Sequence, residues 1–342
     1  MRCKKYDGSR RQKRNQTGGS TRKHSHKGYI YLKTKGGLND NLVQLARCTK
    51  YAIQHGRAII LEMPTYSATD LRTVFDFSHF PVPIYTNIHQ KKKELAHHPI
   101  VPSYYGTLFS PTKDTNFIRG AWSTRNGQPL CFDLTKSYPP DTVLVYACGG
   151  GGDGDGSVNI LESIRFKPAI LDYYRKKVEE YSIPEEYISI HLRATDKKLN
   201  IRNNITGMRL ADSDRIIKGM PSSGNTHTDA FKKIDAFIKA HSTLPIFVAS
   251  DNAKLVDKLA KEYPAILTSD APEASSKCDS NRSCQRLHAQ GTSDPDNLKN
   301  AIVDLLLLAK AKAIMTSAGG YSRLAKKLLK RKDILAKLLT PA

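Results

Sequence analysis

Tyr187-Ile188-Ser189-Ile190-His191-Leu192-Arg193-Ala194-Thr195-Asp196-Lys197 runs largely apolar for six residues and then turns polar at once. Such a run, without a clean polar face, predicts a strand covered on both sides, as in a parallel sheet. The pattern around it repeats. A helical period over about 168–181 precedes the strand. Downstream, a helix over about 228–241 leads to Pro245-Ile246-Phe247-Val248-Ala249, and one over about 253–262 leads to Ala265-Ile266-Leu267-Thr268. A helix over about 297–311 leads to Ala313-Ile314-Met315, and a last helix starts at Tyr321. Strands alternating with helices of this length imply right-handed crossovers and a parallel sheet.

The first half repeats this grammar more faintly. Gly28-Tyr29-Ile30-Tyr31-Leu32-Lys33 reads as a strand that stops at Gly36-Gly37. A helix period then runs through Leu38, Leu42, Leu45, Ala46, Ala52 and Ile53, and Ala58-Ile59-Ile60-Leu61 is the next strand. From about 64 to 142 prolines and aromatics leave no long period. Val143-Leu144-Val145-Tyr146 is a further strand, ending in the glycine-rich run 148–156, which reads as a flexible connector. The expectation is an α/β protein of two Rossmann-like domains with parallel sheets facing a cleft. Residues 1–27 form a disordered basic tail, 28–165 a first, acceptor-side domain and 166–342 a second, nucleotide-sugar-binding domain.

Charge sorts by position. The formal net charge is +22, but residues 1–35 carry twelve Lys/Arg against one acid, Asp7, and residues 323–342 carry seven against Asp333. About +5 is left for the body between them. A nucleic-acid protein would set its charge on a folded groove interleaved with aromatics; here it lies at the two ends. No run approaches the roughly 20 apolar residues of a membrane-spanning helix. Met1-Arg2-Cys3-Lys4-Lys5 lacks a secretory apolar core, so a cytoplasmic protein is expected. Its six cysteines (Cys3, Cys48, Cys131, Cys148, Cys278, Cys284) are then free thiols by default. They show no zinc-finger spacing, and only Cys278 and Cys284 are close enough in sequence to suggest a loop disulfide.

Open parallel sheets bind ligands at the carboxyl ends of their strands, where loops meet helix N-termini. Four clusters fall there. Gly36-Gly37-Leu38-Asn39-Asp40-Asn41 opens the first helix, where glycines admit a diphosphate and Asn39 or Asn41 can donate to it; Asn39 as a plain helix cap is the alternative. His191 and Arg193 share one strand face, and an arginine fork suits a diphosphate; an Arg193–Asp196 salt bridge and a packed core histidine are the structural alternative. Asp251, in Ser250-Asp251-Asn252, is a ligand contact or a helix cap. Thr316-Ser317-Ala318-Gly319-Gly320-Tyr321-Ser322 opens the last helix, and Asp304, an acid among Leu305 to Leu308, suits the two N–H donors of a guanine edge or a lysine partner.

In this order, Gly36 to Leu42, Ile190 to Lys197, Ile246 to Asp251, then Asp304 with Thr316-Ser317, the sequence resembles GDP-fucose-dependent fucosyltransferases. The His-x-Arg-x-Thr-Asp-Lys form is most similar to the α1,6- and nodulation-fucosyltransferase branch, with α1,2 and protein O-fucosyltransferases as cousins. The resemblance covers roughly 28–330 and is strongest over 187–325. It implies a GT-B architecture and inverting transfer of L-fucose from GDP-β-L-fucose to a glycan hydroxyl, with neither a metal nor a further cofactor. It assigns Arg193 to the β-phosphate and the leaving group, and His191 and Asp304 to the guanosine. Asp251 lines the pocket, Gly319 and Gly320 approach the phosphates, and Thr316, Ser317, Gly36, Gly37, Asn39 and Asn41 complete the donor site.

Two positions depart from that family. A second arginine common in relatives is Ala194 here, and a proposed basic glutamate of the α1,6 branch falls on Ile201. The candidate bases are Asp196, Asp212, Asp214 and His227, on or near the long 198–226 loop. The expected partners are the nucleotide-sugar donor and a glycan acceptor, with contact of the basic ends to anionic surfaces and no specific nucleic acid. The rivals are a transferase of the same fold using another nucleotide sugar, and a basic nucleic-acid-binding protein.

Overall fold

The computed structural model describes residues 26–34, 36–62, 70–106, 124–125, 128–148, 155–192, 226–250, 253–263, 266–268, 296–317 and 319–341. The chain begins β1 (Tyr29–Lys33), α1 (Leu38–His55), β2 (Ala58–Glu62), α2 (Leu71–Val74), β3 (Phe75–Asp76), β4 (Ile84–Tyr85) and α3 (Ile88–Leu95). There follow β5 (Ile100–Val101), β6 (Thr124–Arg125), β7 (Gln128–Pro129), β8 (Val143–Tyr146), α4 (Gly156–Asn159), β9 (Arg165–Phe166) and α5 (Pro168–Glu180). The second half runs β10 (Ile188–Leu192), α6 (Thr226–Lys239), β11 (Ile246–Ser250), α7 (Ala253–Glu262), β12 (Ile266–Thr268) and α8 (Asp296–Lys310). It closes with β13 (Ala313–Thr316), α9 (Gly320–Lys330) and α10 (Lys332–Leu339).

Two separate parallel sheets result, in the orders β4-β2-β1-β8-β5 and β12-β11-β10-β13. Every residue of the central strands β1 and β10 is buried, because both faces of each are covered. Alternation along β1 sends Ile30 and Leu32 into one core with Leu42, Leu45 and Tyr146. It sends Tyr29 and Tyr31 into another with Leu95, Tyr105 and Val145. In the second sheet Ile188, Ile190 and Leu192 pack with Ile234, Ile238 and Leu259. Its opposite face, through Tyr187, Phe247 and Ala249, joins Leu305 to Leu308, Leu324 and Leu328 in the core that also receives Ile30. One apolar layer is therefore shared by the inner faces of both sheets.

Some expectations are corrected. The terminal helix is two helices broken at Arg331, whose guanidinium reaches Glu162 at 2.6 Å and Asp333 at 2.9 Å. The turn lets Ile334, Leu335 and Leu338 follow Leu324 and Leu328 into the core. The stretch around 64–142, read as lacking a long period, holds strands of only two residues, too short to display one. The default of free thiols fails for Cys131 and Cys148, which form a disulfide with a Cα–Cα distance of 5.7 Å, inside the usual bonding range. That bond pins the end of β8 to the Leu130–Phe132 segment, beside the backbone bonds from Phe132 N–H to Val145 and from Ala147 N–H to Leu130. Cys48 is buried and free; Cys278 and Cys284 lie outside the described residues, as do residues 1–25 of the basic tail and most of the glycine-rich connector. The last two residues of that expected disordered tail are placed against the fold, Lys27 N–H donating to the Gly56 carbonyl at 2.6 Å and the His26 ring meeting that of Tyr29. Among the described residues no helix is long and apolar enough to cross a membrane.

Candidate functional site

In the second sheet the strand order reverses between β10 and β13, since β11 and β12 extend to one side and β13 returns to the other. Such a switch point opens a crevice at the strands' carboxyl ends. His191 and Thr316 are register partners there, and the Ser317 N–H donates to the His191 carbonyl at 3.0 Å. Sequence reading placed all three in the donor site, and the fold brings them together. Leu192 pairs with Ser250 on the other side, where the Ser250 hydroxyl donates to the Leu192 carbonyl at 2.8 Å. Arg193 and Asp251 directly follow these two adjacent strand ends in sequence; both lie outside the described residues.

His191 is 8% exposed. Its Nδ1 lies 2.5 Å from the Ser322 hydroxyl and 3.3 Å from that of Ser317, and the Tyr321 ring tilts over it with centroids 5.1 Å apart. The Tyr321 phenol donates to the Ala301 carbonyl at 2.5 Å. Burial pushes that phenol well above its usual range, and the Asp304 carboxylate nearby adds to the shift. Asp304, half-buried on α8, is therefore within electrostatic reach of Tyr321. Sequence reading included Tyr321 and Ser322 in the cluster that opens the last helix but gave neither a role. Their signal was position alone, in the first turn of a helix that opens at a strand-end glycine pair.

The first sheet contributes from across the junction. Gly319 caps α9 with φ +151°, and neither it nor Gly37, which caps α1, provides a side-chain cap. An uncapped N-terminus presents backbone N–H groups and the positive end of the helix dipole. The two N-termini meet: a Cβ at Gly320 would lie 2.8 Å from Asn39 Nδ2. Asn39 is buried inside the first turn of α1, so the cap reading of it does not hold; the cap is Gly37. Gly37 has open space around it, whereas the room at Gly36, φ +95°, is filled by the Asp40 carboxylate. Asn41 is fully buried in α1.

Among the candidate bases, Asp196, Asp212 and Asp214 lie outside the described residues, and His227 lies on α6 with its side chain likewise outside. At the carboxyl end of the first sheet stands a different arrangement. Lys33 Nζ and Glu62 Oε1, on neighbouring strand ends, are 3.1 Å apart with the lysine 2% exposed. Arg47 donates to the Tyr146 hydroxyl at 3.3 Å.

No protein-family model matches the chain, and no curated protein sequence matches it. Solved structures do. A NodZ α-1,6-fucosyltransferase soaked with GDP-fucose superposes with a TM-score of 0.52 at 15% identity, covering 88% of this chain and 92% of that one. Fucosyltransferase NodZ from Bradyrhizobium gives 0.52 at 15%, over 89% and 94%. POFUT1 in complex with GDP gives 0.51 at 14%, over 89% and 95%. The fold is therefore the GT-B fold that these fucosyltransferases share, as the sequence led one to expect.

Proposed function

We propose that the chain is a glycosyltransferase that moves L-fucose from GDP-β-L-fucose to a glycan hydroxyl with inversion, the nucleotide lying at the β10/β13 switch point. The observation that carries this reading is the convergence of His191, Thr316, Ser317 and the α9 N-terminus with the α1 N-terminus. Two uncapped helix starts, one from each sheet's side of the molecule, meet where a diphosphate would lie. The order of His191, Arg193, Asp251, Asp304 and Thr316-Ser317 along the chain supports it, as does a fold shared with proteins whose structures hold GDP or GDP-fucose.

In this reading Arg193 stabilises the negative charge that grows on the departing diphosphate, and backbone N–H groups of α9 share it. His191 and Asp304 address the nucleoside, and Asp251 lines its pocket. The acceptor approaches from the first sheet's side, over residues 28–165, and the domain boundary is set near 165. With the guanidinium and the helix starts supplying positive charge, no metal is required. Asp196, Asp212, Asp214 and His227 are the candidates for taking the acceptor proton. A protein at work in the cytoplasm would hold Cys131 and Cys148 reduced; their disulfide favours an oxidising compartment instead.

A thermal-shift screen of GDP against UDP, ADP and CDP, run with a chelator present, tests the donor class. A GDP-selective shift is expected, and equal shifts for all four would overturn it. Arg193→Ala is expected to lower turnover of GDP-fucose about 10²–10³-fold, the loss typical of removing a transition-state charge stabiliser. Unchanged turnover in a folded variant removes the reading. Deleting residues 1–27 should leave transfer intact while weakening polyanion binding and its salt dependence; the reverse outcome favours the nucleic-acid rival.

A further inference from the structure

We infer that Ser322 is a positioning residue that fixes the tautomer of His191, placing the ring proton on Nε2 so that the imidazole donates to an acceptor atom of the bound nucleotide. The inference deepens the proposed donor site and rests on that reading for the identity of the ligand. The tautomer itself rests on hydrogen-bond bookkeeping. Ser322 is fully buried in the first turn of α9, and a buried hydroxyl proton needs an acceptor. Among the described residues its Oγ has one partner, His191 Nδ1 at 2.5 Å. Were Nδ1 to carry the ring proton and donate to Ser322, the serine's own proton would have no acceptor there.

The alternative partner for Nδ1 is weaker. Ser317 Oγ stands 3.3 Å away, at the edge of hydrogen-bond range. In a neutral imidazole one nitrogen donates and the other accepts, so an Nδ1 that accepts from Ser322 leaves Nε2–H as the donor. The ring cannot simply rotate away from this assignment. Tyr321 packs against it, and the Ser317 N–H ties the backbone of His191 to the segment that leads into α9. Sequence reading assigned a ligand contact to His191; the geometry adds which nitrogen makes it, and in which role.

The test uses the full chain labelled with ¹⁵N-histidine, with His191→Gln identifying the His191 signals. In the unliganded protein His191 is expected as the Nε2–H tautomer. In Ser322→Ala the signals should move towards Nδ1–H or an exchanging mixture, and the affinity for GDP should fall about five- to tenfold, as for loss of one well-placed hydrogen bond. The loss should appear in KM for the donor more than in kcat. Ser322→Cys, a weak donor of similar volume, is expected to fall between the two. An Nδ1–H tautomer in the unmodified protein overturns the inference without any variant having to fold. So does a folded Ser322→Ala with the original spectrum. If the spectrum is as expected but GDP does not bind the unmodified protein, the tautomer assignment stands and the nucleotide reading falls.

Discussion

The mouth of the first sheet ends in Lys33 and Glu62, a charge pair 3.1 Å apart on adjacent strands; the mouth of the second ends in His191, Thr316 and Ser317. Both sheets are parallel, both central strands are buried, and both feed a glycine-capped helix. The furnishings differ because of what each mouth is free to bind. At the first, the cation is already neutralised by its neighbour and by design of the register, which sets Lys33 opposite Glu62. At the second, the described strand ends offer hydroxyls, an imidazole and helix N–H groups, which suit an anionic ligand. Two sheets of the same kind thus end differently, one in an ion pair closed on itself and the other in groups suited to an anion.

Breaking the first mouth should have the largest effect. Lys33→Met leaves Glu62 in a largely buried place without its lysine, and removing one partner of a buried pair costs about 3–5 kcal/mol. Arg72 lies within electrostatic reach of Glu62, so the lower end of that range is expected. The double variant Lys33→Met/Glu62→Leu should recover most of the loss, since an apolar pair of similar volume is often neutral. Urea unfolding of the three proteins measures this. A single-variant loss below about 1 kcal/mol would mean that the two mouths differ in chemistry but not in energetic commitment.

The second mouth is better probed where it touches α1. Gly320→Ala places a Cβ 2.8 Å from Asn39 Nδ2 and 3.1 Å from its Cβ. Asn39 is itself buried and has little room to yield. Overpacking of this kind costs about 1–3 kcal/mol, and prying the two helix starts apart should weaken GDP binding as well. Adding Asn39→Ala removes the contacts to the amide and leaves the 3.1 Å approach to the Asn39 Cβ, so it should restore part of the stability. If it restores GDP binding too, Asn39 serves the site as a spacer; if binding stays weak, the asparagine amide is itself part of the site.

Much of this comparison was legible before any coordinates. The strands at Tyr187–Leu192 and Ala58–Leu61 show because a strand buried on both faces must be apolar throughout; α1 shows by its helical period, and α8 by an apolar run buried on nearly every side. Their order gave two parallel sheets, and the strand-end rule put His191, Thr316 and Ser317 in one place. What stayed hidden depends on contacts across long sequence separation. Lys33 and Glu62 are 29 residues apart, Ser322 and His191 are 131 apart, and no local period encodes either. The short strands around 75–101 were invisible because two residues have no pattern, and Cys131–Cys148 because connectivity is not a property of spacing.

The smallest effect is expected at the seam between the two sheets, where two tyrosines make an internal control. Tyr187, at the base of β10, is fully buried and donates to the Leu307 carbonyl at 2.7 Å. Tyr174, on α5, is almost as buried, but its hydroxyl has no hydrogen-bond partner among the described residues. Tyr187→Phe should cost about 1 kcal/mol, and Tyr174→Phe should be neutral or stabilising by up to about 1 kcal/mol, because a buried hydroxyl without a partner is a net cost. Burial pushes the Tyr174 phenol from the usual 10.0 up to about 12. A folded state that holds its proton more tightly than the unfolded chain contributes full stability below pH 10 and loses it as pH climbs through 12. Stability of the Tyr174→Phe variant should therefore fall less steeply between pH 10 and 12 than that of the unmodified protein, with the slope still present from Tyr29, whose phenol burial also raises to about 12. Identical slopes in the two proteins would mean that the Tyr174 hydroxyl is hydrated in solution, and the seam looser than its packing in the fold.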